Sequence, residues 1–179
     1  MSEKKYLNIS NLSFRMLEQE DYNIIKDFDC GNSSLERFLK QEAYYSNITR
    51  VASTSLVFSG TQLVAFFTLR KTQLSIDADT SQLESLSCID ISRVAVDKRY
   101  QEKGVGCAII KRIIELANTV NERFLTLDAL IEKYDWYVNR GFVPLIEDET
   151  KKSNQEGLVY MVMDLYDESL IDQYLDLAI

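Results

Sequence analysis

Residues 88–117 read CIDISRVAVDKRYQEKGVGCAIIKRIIELA. The opening stretch, CIDISRVAV, alternates in polarity and is rich in β-branched residues, which predicts a strand. From Gly106 onward apolar residues recur three and four apart, which predicts a helix over 106–120. Its apolar face would hold Ile109, Ile110, Ile113, Ile114, Ala117 and Val120, with Lys111, Arg112, Glu115 and Asn118 opposite. Two of the chain's six glycines, Gly104 and Gly106, fall between strand and helix. Glycines there let the backbone take φ > 0 and let a ligand come close to the main chain. The first N–H groups of the helix lack intrahelical acceptors, and the helix dipole favours an anion beside them. Together these describe a phosphate site. Lys98, Arg99 and Lys103 would add attraction.

The identity of the phosphate is not given by spacing. No Gly-Lys-Ser/Thr follows, so the Walker pattern fails, and Ile109 occupies the third glycine position of the dinucleotide fingerprint. What remains is Q-x-x-G-x-G from Gln101 to Gly106, which a tight turn that binds nothing would also satisfy.

The 179-residue chain is long enough for one domain with its own core, and a single domain over 1–179 is expected. Its N-terminus has no signal-peptide pattern, and its longest apolar run, LVAFF, is too short for a membrane span. Cys30, Cys88 and Cys107 are odd in number and widely spaced, which suits reduced thiols and a cytoplasmic setting. The chain has no histidine. Ser-His and Cys-His catalysis and imidazole zinc sites are therefore excluded, and no metal site is expected. Acid–base chemistry falls to Asp, Glu, Tyr, Lys, Cys or water.

Net charge is −8, which disfavours a broad nucleic-acid surface. Residues 93–112 nonetheless carry six cations against Asp97 and Glu102. A basic patch gathered around the glycine turn of an acidic protein fits an anionic ligand.

Outward from the turn, NLSFRMLEQ (11–19) predicts a first strand and a helix beginning near Glu20. Residues 30–47 predict one helix capped by Ser33 or Ser34, with Leu35, Phe38, Leu39 and Ala43 on one face and a Glu36/Lys40 pair. Residues 52–74 split at Ser59-Gly60-Thr61 into a hairpin, and 75–86 read as a loop or short helix. Strands follow at 123–130, 142–146 and 157–167, with a short helix at 132–140 stopped by Gly141. An acidic helix over 168–179 places Leu170, Ile171, Tyr174 and Leu175 on one face, to cover its own sheet or to meet a partner, a homodimer included. Strands both alternate with helices and pair as hairpins, which implies an α/β (α+β) fold with a mixed twisted sheet of about six to seven strands.

The run ISRVAVDKRYQEKGVGCAIIKRIIELA resembles the acyl-CoA-binding motif of the GNAT N-acetyltransferase superfamily, R/Q-x-x-G-x-G/A. Further on, YDWYVNRGFVPL (134–145) resembles that family's second hallmark, an aromatic-Tyr pair followed by Gly-Phe. FDCGNSSLERFLKQEA (28–43) is similar to the opening of a GNAT branch that includes bacterial toxins acetylating aminoacyl-tRNA. The resemblance implies acetyl-CoA as cosubstrate. It places the diphosphate on the backbone of Gln101, Glu102, Lys103, Gly104, Val105, Gly106 and Cys107, and the pantetheine arm along Val94, Ala95 and Val96. It implies direct transfer in a ternary complex, with an N–H near Val94 polarising the thioester. Tyr137 becomes the general acid that meets the CoA sulfur, with Tyr134 one turn earlier as fallback. Asp90 becomes a candidate base, with a water chain or a solvated strand-end aspartate as the alternatives. Strict alternation would put Asp90, Ser92, Val94 and Val96 on one face and Arg93 on the other, where it would meet the acceptor or pair with an acid.

The acidic remainder of the chain ranks a small amine or a cationic peptide above aminoacyl-tRNA as acceptor, although Lys40, Arg50, Arg70 and Lys71 could form a local patch. The reading from another class is a module on the same fold that binds acyl-CoA, or a protein partner, without catalysis.

Overall fold

The structure, a computed structural model, describes residues 9–77, 83–145 and 157–177. In chain order the elements are β1 (Leu12–Met16), α1 (Tyr22–Ile25), α2 (Ser33–Gln41), α3 (Ala43–Ile48), β2 (Ser53–Ser59), β3 (Gln62–Asp77) and β4 (Leu83–Val96). They continue with α4 (Val105–Thr119), β5 (Phe124–Leu130), α5 (Tyr134–Val138), β6 (Val143–Pro144), β7 (Leu158–Asp164) and α6 (Glu168–Leu177). The strands form a seven-stranded mixed sheet in the order β1-β2-β3-β4-β5-β7-β6, as the mixture of hairpin and alternating patterns predicts. The chain gathers into two compact units, one from residues up to Thr72 with Asp90–Leu116, the other from Gln73–Ile89 with Ala117 onward.

In the first unit β1, β2 and β3 pair antiparallel, and Ser59 opposite Gln62 closes the expected two-residue hairpin loop at Gly60-Thr61. One sheet face buries Phe66 beneath α1 and α2, edge-on to Phe28 at 5.5 Å and stacked with Phe38 at 6.4 Å. The predicted helix of residues 30–47 is two helices, because the chain bends at Glu42 (φ −118°) and so carries Ala43 into the core. Its cap is Asn32 rather than Ser33 or Ser34: the Asn32 side-chain Oδ1 accepts the N–H groups of Ser34 and Leu35 at 3.0 and 3.2 Å. Glu36 does not pair with Lys40. Its carboxylate turns back to accept the N–H groups of Cys30 and Gly31.

On α4, Val105, Ile109, Ile110, Ile113 and Ala117 are buried as the periodicity requires. Val120 is exposed, because the helix ends at Thr119 and Asn121 turns to φ +54°. Residues 75–77 and 83–86, read as loop from their polarity, are strand, since pairing within a sheet overrides local composition. Residues 78–82 of that loop lie outside the described residues.

In the second unit β7 pairs antiparallel with both β5 and β6. Leu125, Leu127, Ala129, Val159, Met161 and Met163 alternate into its interior, with Phe142. The strand expected at 142–146 is only Val143–Pro144, and Ile146 lies outside the described residues. On α6, Leu170 and Tyr174 are 60% and 71% exposed, so this face is not spent on covering the sheet. No helix among the described residues is long and apolar enough to cross a membrane.

Asn47 ties α3 to the first unit. Its amide donates to the carbonyls of Leu17 and Thr54 and accepts the Thr54 N–H at 2.7 Å, all in a buried setting. Asn47→Ala orphans these groups and is expected to cost about 2–3 kcal/mol, read as a lower urea midpoint with unchanged slope.

Candidate active site

Strand β4 ends at Val96, and the N–H of the next residue, Asp97, donates to the Val64 carbonyl on β3 at 2.9 Å. In a strand N–H and C=O directions alternate from residue to residue, so those of Val94 and Val96 point away from β3. Ala95, between them, sends its backbone toward β3 and its side chain into the core. The Asp97 carboxylate, 1% exposed, then shapes the turn. It accepts the Arg99 N–H at 3.0 Å and grips the Arg99 guanidinium at 2.8 and 2.9 Å. Burial alone would raise the Asp97 carboxyl, but these bonds to Arg99 together outweigh it and hold the group below the usual carboxylate range.

After a 3-10 turn at Lys98–Tyr100 the chain passes through Glu102 (φ +59°) and Gly104 (φ +83°) into α4. The two left-handed positions are therefore Glu102 and Gly104. Gly106 is the second residue of α4 and adopts helical conformation. A Cβ on Gly104 would lie 2.9 Å from Ile9 Cδ1, the movable tip of an exposed side chain, so the positive φ rather than crowding is what favours glycine here. The first bond back along the helix runs from Ala108 N–H to Gly104 O, so the N–H groups of Val105 and Gly106 open outward from the helix start.

The cations expected to face a phosphate are otherwise employed. Arg99 is held by Asp97, Lys98 by Asp29 at 3.0 Å, and Lys103 donates to the Arg99 carbonyl at 2.6 Å. Their positive charge therefore serves first to close the turn, which leaves the outward main-chain N–H groups as the donors it presents. Gln101 also turns inward, donating to the carbonyls of Cys30 and Val96 at 2.9 Å each. Glu102 and Cys107 are exposed, while Val105 is buried as the first core residue of the helix.

Asp90 is not a solvated strand-end carboxylate. It lies within β4, is 6% exposed, and its Oδ2 accepts from Arg70 at 3.0 Å and from Ser92 at 2.7 Å. Oδ1 accepts no hydrogen bond among the described residues. Arg93 does not occupy the opposite face. Its guanidinium lies 3.6 Å from the Phe38 ring, Phe38 stacks on Phe66, and Phe66 shares a β3 face with Arg70, the partner of Asp90. Two β4 residues three apart thus reach one face, so alternation is broken between them. Desolvation lowers the Arg93 pKa, with the Arg70 charge adding to it against the acids Glu42 and Asp90.

Tyr137, in the second unit, sits on α5 between Trp136 (4.9 Å, edge-on) and Phe142 (5.7 Å, edge-on). Burial pushes its phenol above the ordinary 10, with the Arg140 charge opposing. Its hydroxyl makes no hydrogen bond among the described residues. Tyr134 begins the same helix. No group of three metal-ligating side chains occurs among the described residues.

Sequence reasoning missed Asp97, Arg70, Phe38 and Asp29 as parts of this region. Only Asp97 left a local trace, an acid two residues before the arginine it holds. The others act through strand and helix partners twenty or more residues away.

The family model of the acetyltransferase (GNAT) domain matches residues 26–165. The chain belongs to the GNAT acetyltransferases, a family of N-acetyltransferase enzymes. Among solved structures, a tyrosine-to-phenylalanine mutant of KacT is similar with a TM-score of 0.69 and 21% identity, covering 91% of this chain and 98% of that one. AtaT complexed with acetyl-methionyl-tRNAfMet gives 0.68 and 18%, covering 92% and 99%. AtaTR bound with AcCoA gives 0.63 and 20%, covering 84% and 92%. At these identities the likeness is one of fold.

Arg70→Met leaves the buried Asp90 carboxylate with Ser92 alone. A loss of about 2 kcal/mol is expected by urea unfolding, with part of it recovered in the Arg70→Met/Asp90→Asn double variant.

Proposed function

We propose that the chain transfers an acetyl group from acetyl-CoA to a primary amine directly, in a ternary complex. The observation that carries this is the left-handed Gly104 turn at the start of α4, behind a strand whose Val94 and Val96 backbone groups face away from β3. The residues fit the group. A left-handed turn that favours glycine precedes outward N–H groups, and the neighbouring strand offers main-chain donors and acceptors to an extended arm. Acetyl-CoA supplies an acetyl group activated as its thioester.

The N–H groups of the turn, from Gln101 through Lys103 and Gly104 to Val105, Gly106 and Cys107, bind the diphosphate, with Glu102 giving the turn its left-handed entry. Val94 and Val96 orient the arm, Ala95 packs beneath them, and the Val94 N–H acts as an oxyanion-type donor. Asp90 Oδ1 is the oxygen left to receive a proton from the amine through water, while Arg70 and Ser92 fix the carboxylate by Oδ2. Tyr137 takes its role from the family motif in which it lies: its Oη holds the proton given to the departing sulfur. The phenol, pushed above 10 by burial, is a weaker acid than a thiol near 8.5, so the proton moves downhill only if the same burial makes the departing thiolate more basic in place.

Two acceptor classes follow. The acidity of the chain favours a small amine or a cationic peptide. The solved complex of AtaT with acetyl-methionyl-tRNAfMet favours the amino group of an aminoacyl-tRNA. A panel of polyamines, amino acids, aminoglycosides, peptides and charged tRNA, read as free thiol release from acetyl-CoA, separates them.

Gly104→Asp puts a side chain and a negative charge into the cradle. Acetyl-CoA affinity by calorimetry is expected to fall more than tenfold with the circular dichroism spectrum retained, and unchanged affinity would count against the site. Tyr137→Phe is expected to lower kcat by about 10²–10³, within the range of general acid catalysis. Because the acid must be protonated and burial raises its pKa, the wild-type rate should show no descending limb below pH 10. Unchanged turnover in Tyr137→Phe would favour a non-catalytic binding module.

A further inference from the structure

Residues 29–31 are held from both sides. From the turn, the Lys98 N–H donates to Asp29 O at 2.8 Å, and the Lys98 ammonium meets the Asp29 carboxylate at 3.0 Å. The Gln101 amide nitrogen donates to Cys30 O and to Val96 O, 2.9 Å each. Both facing atoms are carbonyl oxygens, so only nitrogen satisfies the pair, and the amide orientation is fixed by its partners. From the other side, Glu36 on α2 accepts the N–H groups of Cys30 and Gly31 at 3.0 and 2.9 Å, and Asn32 caps that helix. Gly31 (φ +83°) lies under the Lys98 stem, where a Cβ would come within 2.8 Å of Lys98 Cε. The helix so anchored carries Phe38, the platform for Arg93.

We propose that Gln101 is a positioning residue that couples occupancy of the 101–107 turn to the placement of α2, acting through Asp29–Gly31. The inference rests on that turn being the acyl-CoA site. Two positions there, Glu102 and Gly104, are left-handed, a conformation that is unfavourable for Glu102, which carries a Cβ, and free of that cost for Gly104. A diphosphate on the turn's N–H groups selects this conformation, and the Gln101 fork passes the selection to Cys30. Because coupling is reciprocal, whatever steadies α2 strengthens acetyl-CoA binding by the same factor. An acceptor seated against the Phe38–Arg93 face would do so, which makes acetyl-CoA and acceptor binding mutually favourable.

The test uses the full chain, acetyl-CoA as probe, and hydrogen–deuterium exchange of peptides covering 33–41. In the wild type, saturating acetyl-CoA should slow exchange there at least threefold. Gln101→Glu keeps the shape of the side chain and loses both donors. It should abolish this ligand-dependent protection and raise the acetyl-CoA Kd about tenfold by calorimetry. Gln101→Arg restores donors and should recover most of the protection. Asp29→Asn, outside the turn, should lose part of it and serves if Gln101→Glu does not fold. Acetyl-CoA binding with unaltered exchange at 33–41, or protection retained in Gln101→Glu, overturns the coupling and leaves the acetyltransferase reading intact. Absence of any binding heat overturns both.

Discussion

A single carboxylate decides how strand β4 passes into the glycine turn. Asp97 is buried, yet it accepts three hydrogen bonds from Arg99 and follows a main-chain bond to β3. A charge withdrawn from water is tolerable only when its partners are complete. Here all three partners of the carboxylate come from Arg99, inside the turn that reverses the chain. The direction in which α4 starts, and hence the aim of its first N–H groups, follows from that closure. The arginine offsets that burial while its own side chain stays 62% exposed.

The same economy runs through the basic segment. Composition alone puts four net positive charges between residues 93 and 112, and a simple field argument would aim them all at one anion. The structure instead commits Lys98 to Asp29, Arg99 to Asp97, and Arg93 to the face of Phe38. What the turn itself presents is a set of peptide dipoles, whose positions are fixed by the fold and do not change with pH or side-chain rotamer.

The legible parts of the sequence were those whose signal is local. The strand over 88–96, the turn, the helix beginning beside Gly106 and the two-residue hairpin at Gly60-Thr61 each announce themselves within a dozen residues. The family resemblance over residues 28–144 agrees with the domain match. What stayed hidden required a partner remote in sequence. Asp90 gave no sign of Arg70, twenty residues upstream on another strand. Arg93 looked opposite to Asp90 because alternation was taken as unbroken. The Ser33/Ser34 cap yielded to Asn32, whose amide oxygen reaches both the N2 and N3 donors, and the polar stretch around residues 75–86 was misread because hydrogen bonding to neighbours outweighs side-chain polarity.

Pro144 closes β6 after two residues, at one end of the strand order. A proline has no N–H, so the outer rim at that position lacks the donor through which a stray strand would zip onto the sheet. Among the described residues, that position withholds one hydrogen-bond donor from any strand that would extend the sheet beyond β6.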